Sequence, residues 1–91
     1  MIPLNEPKFD KEDIRNVKKC ISSGWVSSSG KNIKKFEDEI TKYTGSRFAV
    51  ACINGTSAIH ISLLVSGVKP NTEVIVPSLT FVATINAIKY A

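Results

Sequence analysis

The chain has 91 residues, 43% of them hydrophobic and 22% charged. That is the balance of an ordinary globular chain, and it excludes disordered and collagen-like classes. Twelve Lys and Arg against eight Asp and Glu leave a net charge of +4. The basic residues are scattered, with no dense block carrying interleaved aromatics, so no nucleic-acid partner is expected and a small anionic ligand is favoured.

The first nine residues read as an extended arm, because Pro3 and Pro7 block an early helix. Asp10 suits an N-cap, and Asp13 stands three residues on, where a capping box places its acid. Ile14, Val17 and Ile21 then share one helical face, and Ser22-Ser23-Gly24 ends the element. The stretch GWVSSSGKN is a loop. Ile33, Phe36, Ile40 and Tyr43 mark a second amphipathic helix, with Asp38 and Lys42 as an i,i+4 pair and Gly45 as its stop.

Phe48 to Ile53 is short and apolar and reads as a buried strand. Ala58 to Val65 is apolar on nearly every side and reads as a buried helix, closed by Gly67. Lys69-Pro70-Asn71 turns the chain into EVIVP, a second buried strand that Pro77 ends. Ser78 or Thr80 would cap a last helix containing Val82, Ile85 and Ile88. The order helix, helix, strand, helix, strand, helix predicts an α/β chain whose second half, βαβα, belongs to a parallel sheet packed by helices. Two strands make a poor sheet, and the chain ends within a helix-like pattern, so a fragment with an incomplete mixed or parallel sheet is expected.

Between the first strand and its helix lies the elbow Asn54-Gly55-Thr56-Ser57. The first N–H groups of a helix lack internal partners, and the helix dipole favours an anion there. Gly55 allows close approach, and Thr56 and Ser57 add hydroxyl donors. The same residue types are also ordinary caps, so local physics leaves both a phosphate cradle and a plain cap open. The elbow lacks a Gly-Lys-Ser/Thr ending and a GxGxxG pattern, which removes support for ATP and dinucleotide sites. Phe81, in VPSLTFVAT, falls just past the second strand, near Ser78, Thr80 and Thr84. With adjacent parallel strands it would line the same crevice as Thr56 and stack on a flat ring; as a core residue it would do neither.

Cys20 and Cys52 lie far apart, without metal-ligand spacing, and read as buried free thiols. No run reaches transmembrane length and MIPLNEPKFD shows no signal-peptide pattern, so no membrane is expected and the cytoplasm is the default compartment.

Two stretches taken together, SGWVSSSGKNIKKFEDEI and AVACINGTSAIHISLLVSGVKPNTEVIVPSLTFVATINAI, resemble the N-terminal part of the DegT/DnrJ/StrS-type sugar aminotransferases. These are pyridoxal 5′-phosphate (PLP) enzymes of aspartate aminotransferase fold type I. The resemblance implies an N-terminal arm and helical segment over 1–45 and the start of a PLP-binding large domain, truncated, over 46–91. It implies that Gly55, Thr56 and Ser57 hold the cofactor phosphate, and that Phe81 stacks on the pyridine ring. It places Trp25, Ser27, Ser28 and Ser29 near a nucleotide-sugar substrate, although a tryptophan can equally pack and serines can cap. The implied reaction moves an amino group from an amino acid, usually glutamate, to a keto-sugar on a nucleotide diphosphate, for bacterial surface glycans. The wording GWVSSSG is closest to enzymes acting on UDP-linked 4-keto sugars. Full-length relatives are homodimers.

In such enzymes the Schiff-base lysine and the aspartate paired with the pyridinium nitrogen lie far downstream, so no catalytic residue is expected in this chain, which alone would be inactive. Lys31, Lys34, Lys35, Lys42, Lys69 and Lys89 match no catalytic position and read as solvated surface lysines, and His60 as a packing residue. Two rival readings remain: a lysine-lacking PLP sugar dehydratase and a non-catalytic anion-binding module.

Overall fold

A computed structural model describes residues 2–3, 5–27 and 29–91. Four helices follow one another: α1 (Lys11–Ser22), α2 (Lys31–Thr44), α3 (Gly55–Val65) and α4 (Val82–Tyr90).

The ends of the first two helices follow from local chemistry. Asp10 Oδ1 accepts from the backbone N–H of Glu12 and Asp13 at 2.7 and 2.9 Å, and Asp13 Oδ2 accepts in return from the Asp10 N–H at 2.9 Å. This is the expected capping box, which satisfies donors that a helix start leaves open. Gly45 ends α2 at φ 69° and donates its N–H to Thr41 O at 2.9 Å, a left-handed conformation that glycine adopts without a Cβ clash. The ion pairs of α2 differ from expectation: Lys42 pairs with Glu39 at 3.3 Å, and Asp38 with Lys34 at 3.4 Å.

The α/β expectation is overturned. Among the described residues there is no strand and no sheet; the ordered elements are all helices. Phe48 to Ile53 and Glu73 to Pro77 run without regular structure. A strand is held by a ladder to a neighbour, and neither stretch makes a backbone hydrogen bond to the other. The Ala51 N–H, which a ladder would use, donates instead to Glu37 Oε1 of α2 at 2.9 Å. Nor are these stretches buried: Val50 is 81% and Ile75 fully exposed.

The helix expected over Ala58–Val65 begins three residues earlier, at Gly55, because Asn54 is its cap. It is covered on one side only; Ile59 and Leu63 are half-buried, while Ile61, Leu64 and Val65 are exposed. Its end is built as expected around Gly67, at φ 84°: Val68 N–H donates to Leu63 O and Gly67 N–H to Leu64 O, the two crossed bonds of a Schellman closure. In the turn after it Thr72 N–H donates to Lys69 O at 3.1 Å, with Pro70 second and Asn71 third at φ 69°.

Phe81, rather than Ser78 or Thr80, is the N-cap of α4, and it makes no side-chain capping bond. The Thr80 hydroxyl instead meets that of Thr84 at 3.4 Å.

Among the described residues the one helix pair that packs is α3 with α4. Ala87 of α4 is the single buried residue among those described. His60 and Tyr90 meet edge to face there, with ring centroids 6.0 Å apart. The apolar stripes of α1 and α2 are largely uncovered: Ile14, Val17, Ile21, Phe36 and Tyr43 are exposed, while Ile33 and Ile40 are half-buried. The radius of gyration accordingly reaches 16.9 Å, against about 12 Å for a compact chain of this length.

Candidate functional site

The elbow separates the two roles that its residue types leave open. Asn54 does the capping: its Oδ1 accepts from the Ser57 N–H at 2.8 Å, and its carbonyl from the Ala58 N–H at 3.1 Å. The hydroxyls of Thr56 and Ser57, both half-buried, make no hydrogen bond to any described residue. Their position explains this. A hydroxyl further along a helix bonds back to the carbonyl one turn before it, as Ser62 does to Ala58 O at 2.8 Å; in the first turn that carbonyl is not yet helical.

The N–H groups of Gly55 and Thr56 also have no partner among the described residues. Two backbone donors and two hydroxyls are thus left open at the positive end of one helix, whose first turn holds no acidic residue. A Cβ on Gly55 would meet nothing within 4 Å. The space in front of this backbone is therefore clear, and the donor set fits a phosphate monoester.

Phe81 stands at the head of α4 with 84% of its surface exposed. It is not a core residue. Without a sheet there is no inter-strand crevice for it to share with Thr56, and no ring contact or hydrogen bond among the described residues joins it to the elbow. The aromatic contact that does join the two helices, His60 with Tyr90, involves the opposite end of α4. His60 packs, as expected, but its Nε2 is buried without a partner among the described residues, a feature its sequence position does not announce.

The loop after α1 turns at Gly24, φ 73°. Trp25 and Ser27 line a groove of about 780 Å³ between the end of α1 and the start of α2. Ser29 is exposed and is not part of its wall. Ser28 lies outside the described residues. Lys19 and Lys31 also line this groove, as does Asn32, whose side-chain amide donates to Cys20 Sγ at 2.8 Å. Sequence reasoning gave neither lysine a place in a site; their neighbourhood appears only when the ends of two helices are brought together. Cys20 and Cys52 are free thiols and only half-buried, short of the full burial expected.

Lys31, Lys34, Lys35, Lys42, Lys69 and Lys89 are all exposed, as expected. Among the described residues no group of His, Cys, Asp and Glu could hold a metal ion, and no helix is long and apolar enough to cross a membrane.

Residues 7–91 match the DegT/DnrJ/EryC1/StrS aminotransferase family. The chain is 40% identical over 89 residues to a GDP-perosamine synthase of Escherichia coli O157:H7, covering 98% of this chain and 24% of that protein. It is 42% identical over 88 residues to a GDP-perosamine synthase of Vibrio cholerae, covering 97% and 24%. It is 39% identical over 87 residues to a UDP-4-amino-4-deoxy-L-arabinose–oxoglutarate aminotransferase of Shewanella sediminis, covering 96% and 22%. The chain spans about a quarter of the length of these curated relatives. With the match running almost end to end, the chain belongs to the DegT/DnrJ/EryC1/StrS aminotransferase family.

Proposed function

We propose that this chain serves a PLP-dependent aminotransferase, which moves an amino group from an amino acid to a keto-sugar carried on a nucleoside diphosphate for surface-glycan synthesis. Glutamate is the proposed donor: one relative is named for oxoglutarate, the keto acid left when glutamate gives up its amino group. Relatives are named for GDP- and UDP-sugars alike, so the proposal is set at the level of the nucleoside diphosphate. A cytoplasmic homodimer is part of the same reading.

The observation that carries it is the division of labour at the elbow. Asn54 already caps α3, so the open N–H groups of Gly55 and Thr56 and the open hydroxyls of Thr56 and Ser57 have no structural duty. They form the proposed cradle for the phosphate of PLP, and the exposed Phe81 is the proposed platform for its ring. When bound, the cofactor supplies the electron sink that amino transfer needs. The chain's own part is to anchor it: hydrogen bonds fix the phosphate, and the helix dipole offsets its charge. Trp25, Ser27, Ser28 and Ser29 are proposed to face the nucleotide-sugar. No lysine of the chain is assigned to proton transfer.

The test is the double variant Thr56→Ala/Ser57→Ala, titrated with PLP and followed by its absorbance. Two hydrogen bonds to a charged acceptor are worth roughly 1.5–3 kcal/mol each, so affinity should fall at least about tenfold while helical circular dichroism is unchanged. Unaltered PLP affinity would sink the cradle. The chain alone, with no lysine assigned to proton transfer, is expected to form no product; failure of a full-length enzyme carrying this chain to form an amino-sugar from glutamate and a nucleotide keto-sugar would sink the reaction.

A further inference from the structure

We infer that Glu37 of α2 is a positioning residue for the elbow: its carboxylate holds the Ala51 N–H and so keeps Asn54 to Ser57 ordered for the cofactor phosphate. The inference rests on the proposal that the elbow cradles PLP, and it assigns to that site a residue from another helix.

The carboxylate is out of place by the logic of α2. Glu37 lies one turn from both Ile33 and Ile40, on the half-covered side of the helix, and is itself half-buried. The other two acids, Asp38 and Glu39, are exposed and pair with Lys34 and Lys42. Glu37 has no ion-pair partner among the described residues. A carboxylate drawn partly out of water costs free energy unless it finds a donor. Oε1 finds one in the Ala51 N–H at 2.9 Å, and a bond to a charged acceptor is of the stronger kind.

That bond stands alone in what it connects. Among the described residues it is the one hydrogen bond that ties α1 or α2 to any residue after Ser46. Apolar burial offers little in its place. Phe48, Val50 and Ile53 are exposed, and the half-buried Ala49, Ala51 and Cys52 are small. Ala51 stands three residues before Asn54, and an extended residue spans at most about 3.6 Å, so the tie acts within about 11 Å of the cap. The first turn of α3 carries the open N–H groups and hydroxyls of the cradle. Slack before Asn54 lets that turn move when it is empty. Binding then has to order it, and affinity falls.

The experiment uses a full-length enzyme carrying this chain, stripped of PLP and titrated with it, with amide exchange followed in the same protein. Glu37→Ala should speed exchange from Ala51 through the first turn of α3 and weaken PLP about tenfold. Glu37→Gln keeps an acceptor at the same reach, though a neutral one of about half the strength, and should stay within about threefold of wild type. Glu37→Asp keeps the charge but is a methylene short, and should behave as Glu37→Ala does. A general loss of charge or stability would give the opposite order, with Glu37→Asp the milder change. Glu39→Ala, which removes an exposed acid of the same helix, should alter PLP affinity by less than about twofold.

The inference is overturned if Glu37→Ala binds PLP as wild type does while Thr56→Ala/Ser57→Ala does not, if Glu37→Asp is milder than Glu37→Gln, if Glu39→Ala loses as much, or if exchange over residues 51–57 is unchanged. Should Glu37→Ala fail to fold, the order of Glu37→Gln and Glu37→Asp decides. PLP affinity untouched by Thr56→Ala/Ser57→Ala would fell the cradle instead, and exchange in Glu37→Ala would still decide whether the carboxylate orders the elbow.

Discussion

The two halves of the chain are stabilised in opposite ways. α1 and α2 are amphipathic, with a capping box at one start, a left-handed glycine at one end and two ion pairs on their polar surfaces. Their apolar stripes nevertheless remain largely exposed, with only Ile33 and Ile40 half-buried. α3 carries no Asp, Glu, Lys or Arg and α4 a single lysine, yet these two pack together and hold the one buried residue among those described. Amphipathicity marks a face for burial but does not bring a partner to it. Helices that are apolar nearly all round leave one another little alternative to contact. Each half also leaves groups unspent at a helix start: hydroxyls and N–H groups at α3, and an unopposed lysine at α2.

The sharpest way to break the comparison is Ala87→Lys. A lysine there forces a charge into the α3–α4 contact, which costs several kcal/mol for an unpaired ion. Amide hydrogen exchange should show protection in α3 and α4 falling to the level of α1 and α2, with the latter unaltered. Protection surviving in α3 and α4 would mean that their packing is not what orders them.

Asn54→Ala comes next. Losing its bond to the Ser57 N–H should cost α3 about 1 kcal/mol, read as faster exchange across its first turn. Thr56→Ala/Ser57→Ala should leave that exchange unchanged, because those hydroxyls hold nothing in α3. If the hydroxyl variant frayed α3 as much as the cap variant, the separation of cap from cradle would fail.

What could be read in the sequence follows the same division. The Asp10–Asp13 box, Gly45 and Gly67 are encoded within a few residues, and each lies where its pattern places it. The elbow was visible as a helix start, but which residue caps and which stand idle depends on hydrogen-bond geometry that residue types do not fix. The strands failed because apolar runs such as Phe48–Ile53 and Glu73–Pro77 specify only a liking for burial and extension, while a strand exists through a ladder to another. The cap of α4 failed in a related way: Ser78 and Thr80 have suitable side chains, but the helix begins after Phe81. Lys19 and Lys31 meet in one groove through a loop whose course their own positions do not reveal.

The smallest effects concern the ion pairs of α2, where spacing allowed Lys42 to choose Asp38 or Glu39. It takes Glu39, at 3.3 Å, with both side chains more than half exposed. Exposed pairs of this kind contribute below about 0.5 kcal/mol, and salt screens them. Glu39→Gln should therefore lower the helicity of α2 slightly at low salt, and the difference should vanish in strong salt. Asp38→Asn should do less, since its partner Lys34 precedes it, the poorer orientation along a helix. The reverse ranking, with Asp38→Asn the more costly, would restore the Asp38–Lys42 pair that spacing alone favours. It would also show that even this self-sufficient half of the chain takes its polar contacts from sequence order rather than from the rotamers that bring Lys42 to Glu39.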